Sequence, residues 1–342
     1  MYLDGQFGRN AFIGGKEFLF FSGYDYLAMH TVPEFCKLVS EGIKKYGWVY
    51  PSSRISNTQI KLYEDCEARL SAITNTEETV LFGSGFNAGQ SCITLYQNKI
   101  NNAPLSHPAI LSEKSELENF EVWKNKISDT KDYQQILASD AVNNFSVVKY
   151  DFDSFSSVTN VTTFILDDSH GIGVTGNNGG GVAEYMLRGK QTDYLFTYSM
   201  GKAFGIEAGA VSTTHLVANK LRQLPAFTAV TPPSPGPLYA FLNGAGIYQY
   251  QLEKLRKNIK LIRELLKDEI HIKTHPELPI VLLPGNIDEK VFFENGYIIS
   301  SFSYPDPSGV KLNRLVINAA HTERDLEQIA SFTKKAIQKL RQ

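Results

Sequence analysis

The chain has 342 residues, 42% of them hydrophobic and 20% charged, with a formal net charge of -2. That is ordinary globular composition, with chain enough for a large core and about two domains. The near-balanced charge gives no electrostatic footprint for a nucleic acid or an anionic membrane, and no apolar run reaches the length of a membrane span.

The stretch Met1 to Asn10 is polar and has no signal-peptide core, which implies a cytoplasmic protein. Cys36, Cys66 and Cys92 match no metal-ligand spacing and are odd in number. They are expected as free core thiols rather than a disulfide framework, and no metal is expected.

In chain order, Glu17 to Phe21 reads as a short strand. Pro33 opens a helix to Tyr46, with Thr31 as candidate cap and Gly47 as its stop. The loop Tyr50-Pro51-Ser52-Ser53-Arg54 leads to a second helix, Gln59 to Ile73, with Leu62, Cys66, Leu70 and Ile73 at helical spacing. Thr79 to Phe82 is an apolar strand. It feeds Gly83-Ser84-Gly85-Phe86-Asn87-Ala88-Gly89, which opens a helix to Tyr96. A strand, a Gly/Ser turn and a helix N-terminus form an anion site, because open N–H groups and the helix dipole meet at the turn. A tight turn with no ligand has the same pattern.

Leu105 to Leu111 is apolar with a polar insertion that includes His107. Lys114 to Asp140 reads as polar and irregular. Strands follow at Phe145 to Tyr150 and Thr162 to Leu166, with a short helix or turn between Asp151 and Val158. The run Phe164-Ile165-Leu166-Asp167-Asp168-Ser169-His170-Gly171 ends a strand in two carboxylates and a histidine. In an α/β protein, ligands bind outside the carboxyl ends of strands. Tyr194 to Phe196 and Gly209 to Thr213 are strands on either side of Lys202. A lysine between two core strands is poorly placed for a solvated charge, and engagement with a carbonyl cofactor is one solution.

His215 to Leu224 then reads as helix and Phe227 to Pro233 as extended chain. An amphipathic helix from about Gly236 to Leu266 is expected to cross the molecule as a boundary between domains. Beyond it come strands at His271 to Thr274, Pro279 to Leu283, Tyr297 to Tyr304 and Leu312 to Asn318, with helices at Asp288 to Asn295 and Thr322 to Leu340. The expected fold is α/β: a mostly parallel central sheet with helices on both faces, plus a small C-terminal α+β domain. Residues 1–50 are expected to pack with the small domain, 51–240 to form the large domain, and 241–342 to supply the connecting helix and small domain.

Three pieces carry a resemblance: Asp167-Asp168-Ser169-His170-Gly171-Ile172-Gly173, then Gly201-Lys202-Ala203, and the tail Arg314-Leu315-Val316-Ile317-Asn318-Ala319-Ala320-His321-Thr322. In this order they resemble the pyridoxal-phosphate (PLP) enzymes of the α-oxoamine synthase group, within the aspartate-aminotransferase fold (fold type I). The resemblance runs from about Phe18 to the C-terminus. It implies that Lys202 carries PLP and moves the proton at the substrate's Cα. It implies that Asp167 partners the pyridine nitrogen, that His170 lies near the phenolic oxygen, and that His107 stacks on the ring. Gly85, Phe86 and Ser199 would hold the phosphate. Arg314 would grip the amino acid's carboxylate, since its planar fork matches a carboxylate. Thr228 lies where a neighbouring subunit reaches the phosphate, which implies a homodimer with shared sites. The implied reaction condenses an amino acid with a thioester of CoA or acyl-carrier protein, as 8-amino-7-oxononanoate synthase does with L-alanine and a pimeloyl thioester. An aminotransferase on the same scaffold and a non-catalytic protein that keeps the fold stand as alternatives. The group's Asn-Asp-Tyr-Leu is Tyr24-Asp25-Tyr26-Leu27 here, and its aspartate before the stacking histidine is Ala103.

Overall fold

The computed structural model describes residues 2–97, 100–113, 117, 119–129, 134–303, 309 and 311–340. The first part of the chain forms β1 (Asn10–Ile13), β2 (Lys16–Phe21), α1 (Pro33–Tyr46), α2 (Leu62–Thr74), β3 (Glu78–Phe82), α3 (Gly85–Tyr96) and β4 (Ile100–Asn102). The middle forms α4 (Phe120–Asp129), β5 (Gln135–Asp140), β6 (Val142–Asn143), β7 (Val148–Lys149), β8 (Val161–Asp167), α5 (Val182–Tyr185), β9 (Asp193–Ser199) and β10 (Gly209–Thr213). The last part forms α6 (His215–Leu221), α7 (Pro225–Thr228), α8 (Pro235–Asn243), α9 (Ala245–Leu266), β11 (Lys273–Thr274), β12 (Ile280–Leu283), α10 (Glu289–Glu294), β13 (Tyr297–Ser303), β14 (Lys311–Val316) and α11 (Glu323–Leu340).

The chain divides into two units. One holds Glu34–Val142 and Lys149–Ala245; the other holds the chain up to Pro33, Asn143–Val148, and the chain from Gly246 onward. The first unit is built on a six-stranded sheet, β3-β10-β9-β8-β5-β4. Strands β4, β5, β8 and β9 run parallel, while β10 is antiparallel to both β3 and β9. Successive residues feed opposite faces. Leu137, Phe164, Leu166 and Phe196 pack with Phe120 and Trp123 of α4. Ala138, Ile165, Leu195 and Val211 pack with Ala88 and Cys92 of α3 and Val217 of α6. Burial on both faces is why these strands read as continuous apolar runs rather than alternating ones.

The second unit has its own sheet, β1-β2-β13-β14-β12-β11. Its pairs are antiparallel except β2 with β13. One face packs on α9 and α11 through Phe21, Leu283, Leu315, Ile262, Leu326 and Ile329. The α/β architecture expected from the sequence is therefore present.

Local expectations fail at five places. The long helix is two helices: α8 stops at Gly244, whose N–H bonds the Ala240 carbonyl, and α9 restarts at Ala245. A Cβ on residue 244 would lie 2.8 Å from that carbonyl, so the junction favours glycine. The stretch read as irregular contains α4 and β5, and the strand expected at Phe145 to Tyr150 shrinks to β7. Phe227 begins in a helical turn because Pro225 stands in the first turn of α7. Cys66 and Cys92 are buried free thiols, but Cys36 is exposed on α1. The end of the strand expected at Tyr304 lies outside the described residues. Among the described residues no helix is long and apolar enough to cross a membrane.

Candidate active site

The carboxyl ends of three neighbouring parallel strands set the site. Asp140 ends β5 and is the register partner of Asp167 at the end of β8, which in turn pairs with Thr197 near the end of β9. Because a parallel register keeps strand ends level, two carboxylates separated in sequence emerge side by side. The Asp167 side chain is buried, and its Oδ1 accepts the Ser169 N–H at 2.9 Å. Asp168 points elsewhere: its Oδ2 accepts the Val182 N–H at 2.7 Å, and Cβ atoms added to Gly171 or Gly181 would collide with its carboxyl. Of the two adjacent acids, Asp167 faces the other site residues and Asp168 clamps the loop to α5. Burial pushes the Asp168 carboxyl well above its ordinary range, toward the neutral acid.

Lys202 lies in the turn after β9, closed by hydrogen bonds from Met200 N–H to Ala208 and from Ile206 N–H to Met200. Burial lowers its pKa; Asp167, Asp140 and Asp168 pull in the opposite direction. The net is an ammonium that gives up its proton more readily than a surface lysine, the property an amine nucleophile or base needs. His107 lies in the loop after β4, with Nδ1 4.0 Å from Asp167 Oδ2 and half of its side chain exposed. Its Nδ1 accepts the Ala109 N–H at 3.1 Å, so the neutral ring carries its proton on Nε2. Desolvation depresses its pKa, helped by Lys202 and opposed by Asp167.

The turn from β3 into α3 is built as read. Ser84 caps α3, its hydroxyl accepting the Asn87 N–H at 3.1 Å, and its carbonyl takes the Ala88 N–H. Gly85 and Phe86 are left as the open donors of the first turn. Gly85 presses on the end of β9: an added Cβ would lie 2.6 Å from Ser199 Cβ. That contact brings Ser199 to the helix N-terminus. Ser199 N–H donates to Ser169 Oγ at 2.9 Å, tying β9 to the turn that holds His170. The Phe86 ring itself is exposed.

The structure thus brings together Asp167, Lys202 and His107, and separately joins Gly85 to Ser199, with Phe86 on the same helix turn. His170 follows Ser169 in the turn after Asp167. Thr228 ends α7, where its carbonyl accepts the Ser53 hydroxyl at 2.6 Å. Arg314 belongs to the other unit, on β14; it is 2% exposed, faces the Phe302 ring, and its Nε is buried without a hydrogen bond. Sequence reasoning missed Asp140. Its strand was unread because Gln135 and Ser139-Asp140 make the edges of β5 polar. Both Asp140 oxygens face the His107 N–H, at 3.3 and 3.1 Å.

The donor set suits an aldehyde cofactor with a phosphate and a basic ring nitrogen. It offers a deprotonatable lysine, a buried carboxylate, a flat imidazole, and a helix N-terminus whose glycine cradle a Cβ would fill. The comparisons agree. The chain is similar to 8-amino-7-oxononanoate synthase of Lysinibacillus sphaericus, at 27% identity over 94% of this chain and 90% of that protein. It is 26% identical to the enzyme of the same name from Nitrosomonas europaea, over 96% and 92% of the two chains. In fold it is similar to Sphingomonas wittichii serine palmitoyltransferase, with a TM-score of 0.81 at 19% identity, over 96% of this chain and 89% of that one. It is likewise similar to 8-amino-7-oxononanoate synthase of Francisella tularensis, with a TM-score of 0.78 at 21% identity, over 95% and 99% of the two chains. Residues 111–332, most of the chain, match aminotransferase class I and II, and this chain belongs to that family.

Proposed function

We propose that this protein is a PLP-dependent C-acyltransferase of the α-oxoamine synthase type, joining L-alanine to a pimeloyl thioester as a cytoplasmic homodimer. One observation carries the reading: the buried Asp167 carboxylate lies 4.0 Å from the His107 imidazole and interacts electrostatically with the Lys202 amine, whose pKa burial lowers. The full-length similarity to curated 8-amino-7-oxononanoate synthases supports the choice of substrates.

Bound at this site, the cofactor supplies an electron sink for negative charge at the amino acid's Cα. The protein's residues do the rest. Lys202 holds the cofactor and takes the Cα proton, for which a lowered pKa is required. Asp167 keeps the ring nitrogen protonated, and the Ser169 N–H fixes that carboxylate's direction. His107 supplies a flat face for the ring, with His170 assigned to its phenolic oxygen. Gly85 and Phe86 N–H groups and the Ser199 hydroxyl suit the phosphate. The Arg314 fork, with its Nε unsatisfied, suits the substrate's carboxylate. Thr228 is assigned to the phosphate of the partner subunit. The thioester's leaving thiol is CoA or acyl-carrier protein.

The test is thiol release. The holoenzyme with L-alanine and pimeloyl-CoA or its acyl-carrier-protein counterpart should free one thiol per turnover and release carbon dioxide. Conversion of the cofactor to its amine form, reversed by a keto acid and without thiol release, would make the protein an aminotransferase instead.

A further inference from the structure

The loop that carries His107 is fastened to β5 at two points. Ala103 N–H bonds the Ala138 carbonyl at 2.8 Å. His107 N–H meets the carboxyl of Asp140, two residues further along the strand. Between these anchors the chain bulges: Ser106 bonds back to the Ala103 carbonyl through both N–H and hydroxyl, and Leu105 takes φ 62. Beyond the second anchor a turn returns Ile110 N–H to the His107 carbonyl and Ala109 N–H to the His107 ring. The Asp140 carboxyl is therefore where His107 itself meets the sheet; the rest of the turn is held by Asn102, which donates to the Ile110 carbonyl at 2.8 Å, and by Gln90, which donates to the Pro108 and Ala109 carbonyls at 3.0 Å. Remove Asp140, and the His107 amide loses its bond to β5.

We infer that Asp140 is a positioning residue. Its carboxyl anchors the His107 amide, the anchored turn presents Ala109 N–H to Nδ1, and the ring is thereby held beside Asp167 with its proton on Nε2. The role of this device in the reaction rests on the proposed function; the geometry does not. Burial and the neighbouring Asp167 raise the Asp140 carboxyl well above its ordinary range. A neutral acid still offers oxygen to an amide N–H, and it adds no second negative charge beside Asp167. Asparagine, with the same shape and one acceptor oxygen, should therefore replace it, while alanine should not.

The experiment is nitrogen-15 histidine NMR with amide hydrogen exchange, run on the cofactor-free and PLP-loaded full chain. His107 is assigned by the resonance lost in His107→Gln. In the wild type, His107 should be the Nε2–H tautomer and titrate below an ordinary histidine. Asp140→Asn should keep both properties and its amide protection. Asp140→Ala should lose the single tautomer, titrate closer to an ordinary histidine, and exchange the His107 amide about tenfold faster, the scale of one hydrogen bond. A wild-type His107 with its proton on Nδ1 would overturn the inference, and this measurement needs no Asp140 variant to fold. So would an Asp140→Ala variant with wild-type tautomer, titration and exchange. Thiol release is read in parallel. Its absence in the wild type, with the NMR pattern intact, would refute the proposed reaction and leave the positioning role standing.

Discussion

Lys202 and Asp167 are a pair whose partners differ in kind. The lysine's proton is loosened by burial, and the aspartate's direction is fixed by one backbone N–H. Asp167→Asn preserves that hydrogen bond but cannot hold a cationic ring nitrogen. Its kcat should fall about 10²- to 10⁴-fold, the range of a lost proton-handling group, with KM for the thioester little changed. Steady-state kinetics on the folded variant checks it. A second residue-scale prediction concerns His321, buried between the Asn318 N–H, which it accepts on Nδ1, and the Phe20 carbonyl, to which its Nε2–H donates. Desolvation lowers its pKa from 6.5 to about 4. The unfolded chain therefore binds this proton first as the pH falls. Its contribution to stability is complete above the ordinary value and is lost between about 6.5 and 4, up to ~3 kcal/mol. Urea denaturation at pH 7 and pH 5 should show the loss, and His321→Gln should flatten the slope.

At the scale of elements, the β3–α3 turn was legible because its signals are local: an apolar strand, small residues, then a helix. Its glycine was legible as a turn residue, but not as the residue pressed on Ser199, since that contact needs the sheet order. Gly85→Ala should cost about 1–3 kcal/mol through overpacking and weaken cofactor binding. Ser84→Ala should cost ~1 kcal/mol through the lost cap and leave the cradle's shape intact. Thermal melts with and without PLP separate the two effects. β5 was not legible. Its six residues carry polar ends, and its pairing on both edges, with β4 and β8, supplies what its composition lacks. Missing the strand meant missing Asp140. The break at Gly244 was hidden for the opposite reason, since apolar periodicity continues across it while the backbone does not.

At the scale of the whole molecule, the α/β architecture followed from the alternation of apolar strands with helices, and the second unit's sheet from the short strands near the C-terminus. Two things did not follow. Residues 1–50 were expected to pack with the small domain, but not to supply two strands to its sheet, with β2 pairing parallel to β13 about 280 residues further along the chain. Beneath the first sheet, Glu67 collects the guanidinium of Arg54 at 3.0 Å, the Leu81 N–H at 2.9 Å and Arg222 at 3.4 Å. Arg54 also lies between the rings of Tyr63 and Phe227. This network ties α2 to β3 and to the end of α6. Glu67→Ala leaves a buried guanidinium without its carboxylate and should cost about 3–5 kcal/mol, measured by denaturant unfolding.

The central claim is that Lys202 carries a PLP that drives acyl transfer to an amino acid. Its most direct test is the visible absorbance of the purified, PLP-loaded chain beside Lys202→Ala, followed by L-alanine and a pimeloyl thioester with the freed thiol measured. The account predicts a visible band for bound cofactor that is lost in the variant, and thiol release that requires both substrates and Lys202. A wild type with no cofactor band, or thiol release undiminished in Lys202→Ala, would contradict it.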